Sequence, residues 1–121
     1  MDIKTEKEKV YEVVRPYDEA VIVAHAAKAG GRRLLKEVEV ITDDDYKFCY
    51  LVKRPTKDFL TAVREKKAGT EPDVSGIEKL MMGLVLEGDM QELDRDASIY
   101  SELLTKVGSL VKSASSDIKK I

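Results

Sequence analysis

Tryptophan is missing from this chain, and cysteine and histidine occur once each, as Cys49 and His25. A single cysteine excludes an intramolecular disulfide, and with it the small disulfide-stapled scaffolds. A single histidine, with no CxxC, HxxxH or GxSxG phrase, leaves no zinc site or catalytic triad legible. No apolar run approaches the ~20 residues of a membrane-spanning helix. The first residues, Met1-Asp2-Ile3-Lys4-Thr5-Glu6, are charged and lack the apolar stretch of a secretory signal, so a cytosolic protein is expected. Neither sign of charge dominates: 21 Lys and Arg stand against 23 Asp and Glu, a formal net charge of −2. There is therefore no global basic field to draw in nucleic acid. Proline is scarce as well, so Pro16, Pro55 and Pro72 each act as punctuation.

What is present describes a folded protein with a heavily charged surface. Hydrophobic residues make up 43% of the chain and charged residues 36%. A length of 121 residues suits one domain with one modest core. The short connections leave no room for a second domain, and there is no internal repeat.

The most informative stretch is Tyr46–Phe59. Tyr46, Phe48, Tyr50 and Val52 alternate with Lys47, Cys49, Leu51 and Lys53, the period of a half-buried strand. Arg54-Pro55 ends it, because proline has no N–H for a ladder. Upstream, Val38 and Val40 alternate with Glu37, Glu39 and Ile41, and Thr42–Asp45 between the two runs is rich in turn formers. These runs predict an antiparallel hairpin over 35–53 with an acidic turn. An isolated hairpin is marginal in water, so its aromatic face needs a cover.

Helices are the expected cover. Residues 17–29 read as a helix that starts after Pro16 and stops at Gly30-Gly31. The β-branched run Ala20–Ala24 competes as a buried strand. Residues 10–14, VYEVV, either extend a first helix or form a short strand that pairs at the hairpin's edge. Thr56 is a natural N-cap for a helix over 57–67. Ser75-Gly76-Ile77-Glu78 has capping-box spacing, and Ile77, Leu80, Met81, Leu84 and Val85 form an apolar stripe over a helix at 76–87. The acidic segment 87–96 reads as a loop. Asp96 then caps a long last helix, 97–119, with a stripe of Ile99, Leu103, Val107, Leu110, Val111, Ala114 and Ile118. The expectation is a single α+β domain over 1–121. It has a two-stranded antiparallel hairpin packed against about four α-helices and a helical C-terminal half. Phe48 and Leu80 are expected in its core.

No residue set announces catalysis. Cys49 sits near Lys47 and Lys53, which would favour a thiolate, but a lone strand cysteine is ordinarily a small hydrophobe. Asp43-Asp44-Asp45 lacks the spaced ligands and glycine of a calcium loop. Gly30-Gly31-Arg32-Arg33 follows a helix, whereas a phosphate loop precedes one. The hairpin aromatics beside Lys47, Lys53 and Arg54 resemble a stacking platform for single-stranded nucleic acid, although three aspartates adjoin it. The long last stripe exceeds what so small a domain covers. Leu103, Val107, Leu110, Val111 and Ile118 are therefore the candidate partner-binding residues, closed by oligomerisation or by another chain. No metal or cofactor is expected.

The order of these features resembles a family of small bacteriophage proteins grouped with the tail assembly chaperones. The phrases that carry it are Tyr50-Leu51-Val52-Lys53-Arg54-Pro55-Thr56-Lys57, then Leu86-Glu87-Gly88-Asp89, then the last helix from Leu103 through Asp117-Ile118-Lys119-Lys120-Ile121. The resemblance covers about residues 35–121. It implies a non-enzymatic factor of virion morphogenesis that binds a helical partner such as a tape-measure protein. The setting it implies is the cytoplasm of a bacterial host, or the virion itself. The alternatives are a minor connector component of the particle and a small nucleic-acid-binding regulator that uses the hairpin aromatics.

Overall fold

A computed structural model describes residues 10–116 of the chain, with side chains described as far as Ser113. It shows an α+β architecture with a helical C-terminal half. In chain order the elements are β1 (Glu12–Val14), α1 (Glu19–Ala29), a 3-10 turn (Arg32–Leu34), β2 (Leu35–Ile41) and β3 (Tyr46–Lys53). They continue with α2 (Lys57–Lys67), α3 (Val74–Met82), β4 (Val85–Glu87), α4 (Met90–Arg95) and α5 (Ala97–Ser116).

The hairpin forms where the alternation predicts it, with Leu35 opposite Lys53 and Ile41 opposite Lys47. The sheet is nonetheless not a two-stranded one. β1 joins β3 in parallel, with Val14 opposite Phe48. β4 joins the same edge of β3 further along, antiparallel, at a bulge between Leu51 and Val52. Among the described residues this makes a mixed four-stranded sheet centred on β3. The helix expected over 76–87 therefore stops at Met82. Gly83 closes it, and Leu84 turns its carbonyl to the Lys53 N–H at 2.8 Å. The helical stripe is real in the sequence, but β3's unpaired backbone captures Val85–Glu87 as a strand, since buried backbone groups must be bonded.

β3 is buried on both faces rather than one. Phe48, Tyr50 and Val52 join Val40, Leu84, Leu93, Ile99, Leu103 and Val107 in the main core under α5. Cys49 and Leu51 pack on the opposite face with Tyr17, Ile22 and Leu35, beneath α1. Ile99, Leu103 and Val107 recur every four residues and have no exposed surface. Each contributes about 1.5–3 kcal/mol by burial. Leu80 is only half-buried and Leu84 is buried in its place, so the expected core position shifts from α3 to the segment after it.

Capping follows the residue chemistry closely. Asp18 accepts from the Val21 N–H at 3.1 Å and Thr56 from the Phe59 N–H at 3.1 Å. α1 begins at Glu19, two residues later than the expected start at 17, and Gly30 stops it in a left-handed conformation (φ 101°). Asp73, not Ser75, caps α3 by accepting from the Gly76 N–H at 2.9 Å. The acidic segment expected as a loop holds α4, because Asp89 accepts from the Glu92 N–H at 3.0 Å and opens a turn of helix.

One close approach ties these parts together. Tyr50 is fully buried, and its hydroxyl donates to the Asp89 carbonyl at 2.8 Å. Gly88 crosses the Tyr50 ring so closely that a Cβ there would lie 2.1 Å from a ring carbon, and its φ of 144° suits only glycine. Gly88→Ala is expected to lose about 2–4 kcal/mol from strain and overpacking. Tyr50→Phe should lose about 0.5–1.5 kcal/mol, the net worth of one hydrogen bond, because the Asp89 carbonyl keeps the Leu93 N–H at 3.1 Å. Leu103→Ala should lose about 2–5 kcal/mol, and half-buried Leu80→Ala about 1 kcal/mol or less. Urea denaturation of the four variants checks this order; a Gly88→Ala protein as stable as wild type would refute the close-approach account.

Candidate protein-binding surface

β2 lies at the edge of the sheet, and backbone parity shows which of its groups are spoken for. The Leu34 carbonyl accepts from the Arg54 N–H at 2.8 Å, and the Thr42 N–H donates to the Tyr46 carbonyl at 2.9 Å. Even-numbered residues of β2 therefore turn their backbone groups to β3, and Glu37, Glu39 and Ile41 turn theirs outward. Lys106 of α5 reaches that outward row, its Nζ donating to the Glu39 carbonyl at 2.9 Å.

A groove of about 370 Å³ runs beside the edge, between Lys36, Val38, Glu39 and Ile41 of β2 and Lys106 and Leu110 of α5. Its flanks differ in charge. Lys36 shares the α5 side of β2 with Val38 and Val40, and Lys106 faces it across the groove. Glu37 and Glu39 lie on the α1 side. Burial pushes the Glu37 carboxyl up, but hydrogen bonds from Tyr17 and Arg15 outweigh it and leave the group below its ordinary value. The Arg15 Nε lies 2.5 Å from Glu37, and Lys47 of β3 lies 3.8 Å from Glu39.

The candidate partner-binding residues separate. Leu103 and Val107 are consumed by the core and present nothing outward. Leu110 and Val111 are half-buried against the same core, and Leu110 lines the groove. Ile118 lies outside the described residues. Sequence periodicity placed all five on one stripe but held no signal for where β2 would cover it. It also missed Lys106, since a lysine on the polar side of a helix reads as solvated.

A second concavity, about 350 Å³, opens at the hairpin turn between Val14, Tyr46 and Phe48 and the α4 end. Its wall carries Asp44, Asp89, Glu92 and Asp96 against one cation, Arg95. These carboxylates are structural: Asp89 and Asp96 cap helices, with Asp96 accepting from the Ser98 N–H at 3.0 Å, and Glu92 holds Arg95. The stacking platform for nucleic acid does not exist here. Phe48 and Tyr50 are core, and the one exposed ring, Tyr46 (39% exposed), opens onto carboxylates that repel phosphate.

The remaining polar candidates are also built in. His25 Nε2 lies 2.8 Å from Glu87 Oε2 and joins α1 to β4. The acidic hairpin turn closes through Thr42, whose Oγ1 accepts from the Tyr46 N–H at 3.1 Å. Gly30-Gly31 is a helix cap, with both N–H groups donating to the Ala26 carbonyl. Among the described residues no three His, Cys, Asp or Glu side chains converge to hold a metal ion, and no helix is long and apolar enough to cross a membrane. No protein-family model, curated protein or solved structure matches the chain.

Cys49 is 4% exposed, and burial, then the charges of Glu37 and Glu39, push its thiol above the ordinary value. Alkylation of Cys49 in the folded protein is expected to be at least about tenfold slower than in urea; equal rates would show an accessible thiolate. Burial, then the carboxylates of Asp89, Glu92 and Asp96, push Tyr50 up to about 12. A tyrosine raised in the folded state leaves stability intact below its unfolded value near ~10 and removes it above. Stability should thus fall as pH rises from ~10 towards 12, and by less in Tyr50→Phe, as followed by denaturant titration at each pH.

Proposed function

We propose that this chain is a non-enzymatic assembly factor of the tail assembly chaperone kind. It binds a segment of a helical virion protein, such as a tape-measure chain, at the β2–α5 groove. The observation that carries the reading is the seven-residue edge strand, its outward backbone row set beside a groove walled by Leu110. Unpaired strand edges are templates for another chain, and stable monomers cover or blunt them. The order of motifs over residues 35–121 supports the phage setting, and the charged exterior suits a protein that keeps a partner in solution. A minor connector role in the particle would use the same groove.

Co-expression with candidate virion proteins, followed by size exclusion with light scattering, tests this. A helical partner should co-elute with the wild-type chain. Leu110→Glu should reduce the co-eluting partner by about tenfold or more, as loss of an apolar contact at an interface does, while the melting temperature stays within a few degrees of wild type. A monomer that ignores every such protein but is retained on DNA or RNA in a salt-dependent way would reverse the reading in favour of a regulator.

A further inference from the structure

We infer that the outer edge of β2 takes up an extended segment of a different chain by strand addition, with basic residues opposite Glu37 and Glu39 and acidic residues towards Lys36 and Lys106. This rests on the protein-binding reading above and specifies how the partner is held: as a strand, not as a helix.

The edge is suited to pairing. The β2–β3 register runs from Leu35 to Ile41 without a shift, and the strand contains no proline. A regular strand presents its outward groups at even spacing, so a neighbour can bond to Glu37, Glu39 and Ile41 in turn. Lys106 is the device that blunts the edge, as lysines commonly do. Its hold on the Glu39 carbonyl is exchangeable, because Glu102 Oε2 lies 3.9 Å from the same Nζ, one turn back on α5. An incoming N–H can take the carbonyl while the ammonium keeps a carboxylate partner.

The charges argue against a second copy as the occupant. Antiparallel self-pairing centred on residue 37 sets Glu37 against its own copy, and centring on 39 does the same for Glu39. Centring on 38 sets Glu37 against Glu39 twice. Because such a sheet continues with the same faces together, Lys36 would stand opposite Val38, Val40 or Thr42 of the copy in these three registers and gain no carboxylate partner on the other side. Like charges directly opposite are destabilising. Lys47 approaches Glu39 from β3, the inner side, and leaves the outer side of that carboxylate open. A segment that alternates basic and acidic residues satisfies both flanks at once.

The test uses the full chain, isotope-labelled, titrated with three synthetic decapeptides. One alternates Lys and Glu. One has the same composition in two blocks. One alternates but is N-methylated at every second amide. The alternating peptide should shift the amides of Glu37, Glu39 and Ile41 and slow their hydrogen exchange. The block peptide should bind about tenfold more weakly, the worth of a few cross-strand ion pairs, and methylation of the edge-facing amides should abolish protection. Glu39→Gln should weaken the alternating peptide several-fold while the melting temperature stays within a few degrees of wild type. Equal binding of block and alternating peptides, no binding up to ~1 mM, or shifts confined to α5 or the acidic cleft would each overturn strand addition. Dimerisation of the chain alone through β2 would overturn it in favour of a second copy. A virion partner that co-elutes while leaving the β2 amides unprotected would refute the strand and leave the protein-binding reading standing.

Discussion

Tyr50 has no contact with solvent, yet carries a hydroxyl that must be bonded. The Asp89 carbonyl meets it at 2.8 Å, and it can do so only because Gly88 passes over the ring without a side chain. That approach fixes the segment after β4, and Asp89 there opens α4. α4 in turn delivers Leu93 to the core and Asp96 to the start of α5. A buried polar group that lacked its partner would cost about as much as a typical mutation removes. That close approach therefore anchors α4, and through it the start of α5, on the sheet.

The same constraint explains why β3 is central. A strand buried on both faces reads as nearly continuous apolar residues, and Phe48–Val52 does so with Cys49 and Leu51 in the supposedly polar phase. Both of its edges are then occupied, by β2 on one side and by β1 and β4 on the other. The burden of exposed strand edge passes outward to β2. There the chain places alternating charge, a lysine from α5 and a shallow groove, the combination that keeps an edge soluble yet open to a chosen neighbour.

This arrangement changes where function should be sought. The long apolar stripe of α5 is divided: its first half holds the domain together and, among the described residues, Leu110 and Val111 of its later part meet the surface. The hairpin aromatics are likewise structural. The surface left for recognition is made of backbone and paired charges.

Much was legible in the residues. The hairpin, its turn, the glycine stop after α1, the caps at Thr56 and Asp96 and the stripe of α5 all follow from local chemistry, because each depends on neighbours within a few positions. Gly88-Asp89 was visible as a phrase, but nothing local said that Tyr50 lay beneath it. Three outcomes belonged to tertiary structure. The vacant edge of β3 turned Glu12–Val14 and the helical-looking Val85–Glu87 into strands, since an unsatisfied buried backbone outweighs a weak helical preference. Burial of both faces of β3 was decided by α1 and α5 arriving from opposite sides. The edge of β2 left unpaired among the described residues, with Lys106 lying across it, exists only once those helices are in place. Local pattern specified the pieces; the requirement to bond every buried backbone group decided which edge was left unpaired among the described residues.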